Sequence, residues 1–463
     1  MSVPLLLITG TLLTAVGLIF LLDHPRWVKW TGTGAAVIFA LLPFFLPVGE
    51  PIRLLNQEWI ISSTLFVLGR KLVVTAGDLP LLSLLFGSYA LWFFALDIRN
   101  VSLRLVPLGM MGLSLVIAAY AVQPIFYAAI FFAFLALLDA ILLTPPSHPA
   151  TQGVLRFLIF QIMGTLLILF AIWMLSWVEI GAAERILLLR ALVIMGLGFS
   201  LLLAIFPFTS WLPLLAMENQ PFLAGFVFNT YLNGVLLFGF KFVSTSGWLP
   251  ALIDLAETLQ FVALMMVFLG GVTAFFSHHL GRTMGGAVMV EIGRSLLALS
   301  FLQSGYPLYF SLFIVQTLAL VLWALSMTLI AGVVKDFRYS SLPGVAGQWP
   351  LVFYGIMTGQ LTLAGLPLLA GFPVYWALAD SLTGDATWRW VFFLTGNLGL
   401  LLGAVRSGMH LASSAGEENV LKVGNRLVDV TIGLLIIGLI LLGLSPRVLD
   451  PLLGPLAQVL LLK

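Results

Sequence analysis

Two residues in the chain have the types and spacing for proton chemistry inside an apolar run. Glu291 and Arg294 stand three apart, which on a helix puts both on one face within pairing reach. An ionisable side chain in a bilayer is expensive and marks a functional hypothesis by default. The pair reads either as a gated ion pair in a proton path or as a static pair that orients two helices. Asp139 lies near the end of another apolar run, just before Thr144-Pro145-Pro146. It reads either as a buried proton carrier or as a carboxylate solvated at the interface. Asp380, His410, Glu218 and Lys241 fall near the ends of apolar runs, where snorkelling to water is the default. His278-His279 beside Arg282 reads as a loop pair, with no third ligand spaced for a metal. Gly196-Leu197-Gly198 lies within an apolar run and follows no strand, so it is no phosphate-cradling loop. There is no cysteine, which excludes disulfides, cysteine-ligated iron–sulfur clusters and Cys-type zinc sites in this chain. No catalytic centre, cofactor or metal is expected here.

The elements that must position these groups are interrupted in a patterned way. Pro207 and Pro213 are six apart in Ile205-Phe206-Pro207-Phe208-Thr209-Ser210-Trp211-Leu212-Pro213. Pro367 and Pro373 have the same separation in Gly365-Leu366-Pro367-Leu368-Leu369-Ala370-Gly371-Phe372-Pro373, and the second pair follows the first by 160 residues. Proline in a helix interior removes a donor and clashes with the preceding turn. In a bilayer such a break survives only where protein or a watery cavity satisfies the freed backbone. Breaks at corresponding positions of two halves point to the working site of a repeat-built transporter; ordinary proline kinks are the alternative.

Of 463 residues, 61% are hydrophobic and only 9% charged, against about 25% charged in a soluble domain. The chain is expected to be an all-α polytopic membrane protein. Its net charge of +2 indicates no nucleic-acid partner. At about 20 apolar residues per span, fourteen helices are predicted, near 3–22, 31–48, 79–97, 104–121, 124–143, 153–177, 186–206, 219–243, 255–276, 283–303, 306–332, 349–382, 389–411 and 426–444. The first is expected to be a retained span rather than a signal peptide. The 349–382 segment is too long for one straight span and divides at Gly365-Leu366-Pro367. Residues 60–75, rich in β-branched side chains around Gly69-Arg70-Lys71, predict a β-hairpin outside the membrane. The expected organisation is 1–103 for N-terminal helices and hairpin, 104–243 and 255–411 for two inverted five-helix repeats, each with a broken helix, and 426–463 for the C-terminal helix. Gly355-x-x-x-Gly359 and Gly399-x-x-x-Gly403 are small-residue helix-packing patterns.

Pro207-Phe208-Thr209-Ser210-Trp211-Leu212-Pro213 resembles the Pro-Phe-His-x-Trp-Leu-Pro motif of antiporter-like subunits: the M, N and L types of respiratory complex I and relatives in membrane-bound hydrogenases and Mrp antiporters. Ala364-Gly365-Leu366-Pro367-Leu368-Leu369-Ala370-Gly371-Phe372 resembles the Ala-Gly-Ile-Pro-Pro-Thr-Ala-Gly-Phe of that family's second broken helix, and Arg282 to Gly293 follows a third motif in placement. The resemblance implies that Thr209, Trp211, Gly371 and Tyr375 join the prolines and Gly365 as broken-helix positions. It also implies membrane partner subunits and residence in a bacterial or archaeal cell membrane. The departures are as informative. The family's intramembrane lysines fall at Leu202 or Ser200, at Leu232 or Asn233 and at Thr317 or Leu318, and its twelfth-helix lysine or glutamate falls at Tyr375. Its glutamate falls at Ala136, one turn from Asp139, its motif histidine is Thr209, and its acid after Leu-Pro is Leu214. Only six lysines exist in the chain, none at a predicted helix centre. A lysine–glutamate relay works because burial and a nearby carboxylate tune lysine's protonation; Leu, Asn and Tyr cannot do this.

The expected function is therefore that of a membrane-arm subunit of a complex I-like NADH–quinone oxidoreductase assembly, taking part in proton translocation or serving as a structural, degenerate version. A stand-alone secondary transporter, or a coupling subunit of a membrane hydrogenase or carbon-uptake complex, are the alternatives.

Overall fold

The computed structural model describes residues 2–46, 48, 51–54, 57–67, 69–97, 99–146, 148–175, 184–245, 254–301, 305–334, 336–382, 387–413, 426–451 and 453–454. In chain order the helices are α1 (Val3–Phe20), α2 (Pro25–Phe45), α3 (Leu79–Ala95), α4 (Leu105–Ala121), α5 (Ala128–Leu143) and α6 (Gln152–Leu175). There follow α7 (Glu184–Leu202), α8 (Trp211–Glu218), α9 (Pro221–Thr245), α10 (Leu255–Phe275), α11 (Leu280–Ser300) and α12 (Tyr306–Ile330). The chain closes with α13 (Val345–Gln348), α14 (Pro350–Ala364), α15 (Gly371–Asp380), α16 (Thr387–Ala412) and α17 (Arg426–Leu444). Among the described residues ten helices are long and apolar enough to cross a membrane singly; Leu105–Ala121, Ile186–Leu202 and Pro350–Ala364 are shorter apolar helices. The chain is an integral, multi-pass membrane protein.

Each of the fourteen predicted segments holds a helix, the 349–382 segment two, and the ends shift most at the second, fifth and seventh, the fifth opening as a single 3-10 turn at Ile125–Tyr127 before α5. The second helix begins at Pro25 rather than near 31, because proline is well placed in the first helical turn, where its missing donor has no partner to lose. The seventh stops at Leu202, not near 206. α9 and α12 lie enveloped by their neighbours, whereas α1, α6 and α17 keep one apolar face outward. Glycines let backbones approach: a Cβ on Gly271 of α10 would strike the Gly396 carbonyl of α16, and one on Gly359 of α14 would meet Trp323 Cβ of α12 at 2.8 Å.

The predicted hairpin is present as β3 (Thr64–Val67) against β4 (Arg70–Val73), antiparallel. Val67 opposes Arg70, so Arg70 and Lys71 belong to the strand rather than to the turn, and Gly69 takes the left-handed conformation at φ 73°. β5 (Val122–Gln123) adds to its edge. A second hairpin, β1 (Pro51–Leu54) with β2 (Gln57–Ile60), was not anticipated from the sequence.

Both breaks are turns rather than kinks. Pro207 and Pro367 lie in the turns, outside any helix, while Pro213 and Pro373 are the third residues of α8 and α15, where a backbone donor has no intrahelical acceptor. The closing hydrogen bonds are the same in each. Ala204 N–H donates to Leu201 O and Ile205 N–H to Ser200 O; Gly365 N–H donates to Thr362 O and Leu366 N–H to Leu361 O. These bonds are spaced 161 residues apart, one more than the prolines, and form the left-handed helix stop that satisfies the last carbonyls. Its left-handed position is Gly365, φ 77°, in the second break but Ala204, φ 53°, in the first.

At Gly365 a Cβ would also meet Tyr375 Cδ2 at 2.8 Å. Gly365→Ala is expected to destabilise the protein by about 1–2 kcal/mol from backbone strain alone, read as a lower unfolding temperature in detergent. Ala204→Gly, which relieves the same strain, is expected not to lower it.

Candidate functional site

Glu291 and Arg294 project from α11 into the heart of the second half, and both are fully buried. Three of the glycines in α11, Gly285, Gly286 and Gly293, let α8 and α10 close over it, which is how two charges come to sit without contact to the surface. Arg294 pairs with Glu291 Oε1, and the same oxygen accepts the Tyr375 hydroxyl at 2.9 Å. The guanidinium carbon lies 3.5 Å from the centre of the Tyr375 ring, a cation–π contact in a dry setting. Arg294 donates further to the Leu363 carbonyl at 2.8 Å and to Asn397 Oδ1.

This arrangement ties four elements together. Leu363 is in the last turn of α14, where carbonyls lack intrahelical donors and the helix dipole favours a cation. Tyr375 is on α15, across the break, and Asn397 is on α16. Arg294 thus caps the first arm of the broken helix while Glu291 holds the second arm through Tyr375. Glu291 Oε2 and Arg294 Nε find no hydrogen-bond partner among the described residues. Asn397 was not anticipated from the sequence. Its signal is an amide side chain within an apolar helix, one residue after a glycine that packs on α10.

Among the described residues the first half shows no such ion pair around its break. The Phe206 amide donates to Met266 Sδ at 3.4 Å, a weak acceptor. Thr209 is half-buried and Ser210 exposed, whereas Trp211 is buried. Asp139 on α5 is 4% exposed, buried in the fold rather than solvated, and its Oδ2 has no partner among the described residues. Ala136 shares its buried face one turn earlier. The structure does not bring Asp139 together with the Glu291–Arg294 pair into one cluster; they belong to different halves.

Between the halves runs a line of neutral polar groups. Thr317 on α12 donates to Asn229 Oδ1 at 2.9 Å, Asn233 donates to the Asn229 carbonyl at 2.7 Å, and Tyr309 reaches Asn233 Oδ1 at 3.5 Å. Tyr231 donates to Gln161 Oε1 at 2.9 Å. Of the positions to which the sequence resemblance assigns lysines or a lysine-or-glutamate, Leu202, Leu232, Asn233, Thr317 and Tyr375 are buried, while the alternatives Ser200 and Leu318 are half-buried. Asn233, Thr317 and Tyr375 stand out in the sequence because the resemblance assigns charged residues there; Gln161, Tyr231 and Tyr309 carry no such signal.

Two groups expected to snorkel are half-buried and also tie neighbouring helices. Glu218 accepts from the Gly153 amide at 2.7 Å, joining α8 to α6. Lys241 donates to the Tyr120 carbonyl and lies over the Tyr120 ring, whose hydroxyl donates to Asp78 at 3.0 Å. At the end of α11 that begins the motif, His279 Nδ1 accepts from the Gly281 amide at 3.1 Å and caps the helix. Burial holds its imidazole below the usual range, partly opposed by Asp336. His278 contacts Arg406 and His410 stacks on Tyr339, so the histidines are tied to separate partners. No group of three metal-ligating side chains occurs among the described residues.

No family model matches the chain. Two known proteins align with part of it. Formate hydrogenlyase subunit 3 of Escherichia coli is 27% identical over 241 residues, covering 47% of this chain and 39% of that protein. NADH-ubiquinone oxidoreductase chain 2 of Osphranter robustus is 25% identical over 255 residues, covering 53% of this chain and 66% of that one. The matched regions thus span less than two thirds of either relative. Solved structures match from end to end. A chain of the archaeal membrane-bound sulfane sulfur reductase superposes with a TM-score of 0.79 at 14% identity, covering 99% of this chain and 97% of that one. A chain of the Mrp complex from a Dietzia species gives 0.78 at 14%, covering 99% and 98%. A chain of respiratory complex I from Thermus thermophilus gives 0.69 at 15%, covering 96% and 98%. The fold is that of the antiporter-like membrane subunits.

The clamp predicts a non-additive mutant series. Arg294→Ala leaves the Glu291 carboxylate buried without its partner and is expected to cost about 3–5 kcal/mol. Tyr375→Phe removes one hydrogen bond to that carboxylate and is expected to cost about 1.5–3 kcal/mol. Glu291→Gln combined with Arg294→Gln should recover much of the Arg294→Ala loss. Unfolding temperatures in one detergent, compared across the series, check this; equal losses in all three would contradict it.

Proposed function

We propose that the chain serves as an antiporter-like membrane-arm subunit of a multi-subunit, complex I-like assembly, where it braces the second broken helix rather than relaying protons through it. The observation that carries this reading is the Glu291–Arg294–Tyr375 clamp. It spans the break through Leu363 and Tyr375 and gives the guanidinium four acceptors or faces at once. A proton relay needs a group that can change charge at little cost. Here the carboxylate is tied to a guanidinium that cannot be deprotonated in a protein, and the flanking residues along the central line are neutral. Asp139 is the candidate for any remaining proton-binding role, because its carboxylate is buried away from every cation named in the clamp.

The surfaces of the breaks support a life in company. Phe206 is 53% and Leu368 66% exposed, and Pro207 and Pro367 are exposed beside them. Irregular backbone at membrane depth is tolerated where protein covers it rather than lipid, which favours neighbouring subunits against these turns. The relatives named above come from a hydrogenlyase and an NADH–ubiquinone oxidoreductase. A redox-driven assembly is accordingly the partner class we infer, with the redox centres in other chains.

Gentle extraction of native membranes followed by capture of this chain tests the proposal. Recovery of quinone-reductase or hydrogenase-type subunits in fixed ratio is the expected result. Recovery of the chain alone would overturn it and favour an independent transporter with its substrate site at the two breaks.

A further inference from the structure

A second polar site lies far in sequence from the clamp, where the first turns of α2 and α17 meet the end of α3. A cavity of about 560 Å³ opens there, lined by Arg26, Lys29, Arg99, Asp97, Trp27 and Trp30 and walled by Leu427 and Val428. We propose that this cavity binds the phosphate of an anionic membrane phospholipid.

The charges are not self-cancelling. Lys29 is buried, and its ammonium donates to the Leu96 carbonyl at 2.7 Å, closing the end of α3. Asp97 lies beside it, and its two oxygens already accept the Arg99 amide at 3.3 Å and the Asn100 side chain at 2.7 Å. Lys29 and Asp97 line the same cavity with opposite charges. The guanidiniums of Arg26 and Arg99 are exposed and form no ion pair among the described residues. Two cationic forks are left over, suited to a phosphate by geometry as well as charge. The positive end of α2 adds to the same field.

The surroundings distinguish a lipid from free phosphate. Trp27 is 66% exposed, with Trp30 exposed one turn on, and indoles with one wet and one apolar side settle at the headgroup level. Beyond Thr31 and Gly34 an exposed apolar stripe runs down α2 through Ile38, Leu41 and Phe44, and another runs down α17 through Val430, Leu434 and Ile437. A ligand with an anionic head and two acyl chains meets the arginines and both stripes together. Inorganic phosphate uses only the arginines.

The test is native mass spectrometry on the purified, delipidated full chain titrated in neutral detergent with phosphatidylglycerol or phosphatidylcholine. Phosphatidylglycerol is expected to be retained more strongly. Arg26→Gln with Arg99→Gln should weaken that preference roughly thirtyfold, at about a fivefold loss per basic residue near an anionic surface. The pair Arg190→Gln with Arg447→Gln, on other parts of the surface, should leave it unchanged. Equal retention of the two lipids, equal losses in both double variants, or displacement of the lipid by millimolar inorganic phosphate would each overturn the proposal. Because both arginines are exposed, the unfolding temperature without lipid should match the parent, which separates lost binding from lost folding.

Discussion

A break in a membrane helix must find partners for the backbone groups it frees, and in this chain that constraint is met by an arginine. Arg294 reaches from α11 to the end of α14, where Leu363 would otherwise present an unanswered carbonyl beside the negative end of a helix dipole. Burying that cation demands a counter-charge, which Glu291 supplies from the same helix face. Tyr375 then binds the carboxylate with its hydroxyl and covers the guanidinium with its ring. The left-handed Gly365 sets the angle at which α15 departs, so that Tyr375 arrives over Arg294. Backbone geometry, charge and packing in the second half are thus one arrangement.

The two halves solve the same problem differently. Their stops share a hydrogen-bond pattern, yet the first uses Ala204 where the second has glycine, and a methionine sulfur where the second has a guanidinium. The line between them, through Asn229, Asn233, Thr317 and Tyr309, is polar but holds no lysine. Neutral amides and hydroxyls orient one another without changing charge. The fold is shared with the antiporter-like subunits, while positions to which the sequence resemblance assigns lysines hold leucine, asparagine, threonine or tyrosine here.

Much of the fold was legible because its signals are strong. Long apolar runs fix the helices, the proline pairs mark the breaks, and Glu291–Arg294 stand out as charges three apart in an apolar segment. The details that escaped are those set by tertiary contact. Sequence spacing could not say that Pro207 and Pro367 would lie in turns, since an X-Pro step is compatible with a kink or a stop. The hairpin β1–β2 has short, mixed strands with weak alternation. Asn397 acquires its role only because Gly396 lets α16 press against α10. Glu218 and Lys241 look like snorkelling residues in the sequence, and become inter-helix ties only once α6 and α4 are beside them.

In the proposed role Glu291 anchors a helix and carries no proton. Proton uptake by sealed vesicles holding the native assembly, driven by its own electron donor, addresses it directly when the Glu291→Gln form is compared with the parent and normalised to assembled protein. The account predicts uptake per turnover that is unchanged, because glutamine still accepts from Tyr375 and Arg294. Loss of uptake with electron transfer and assembly intact would contradict it and make the pair a relay.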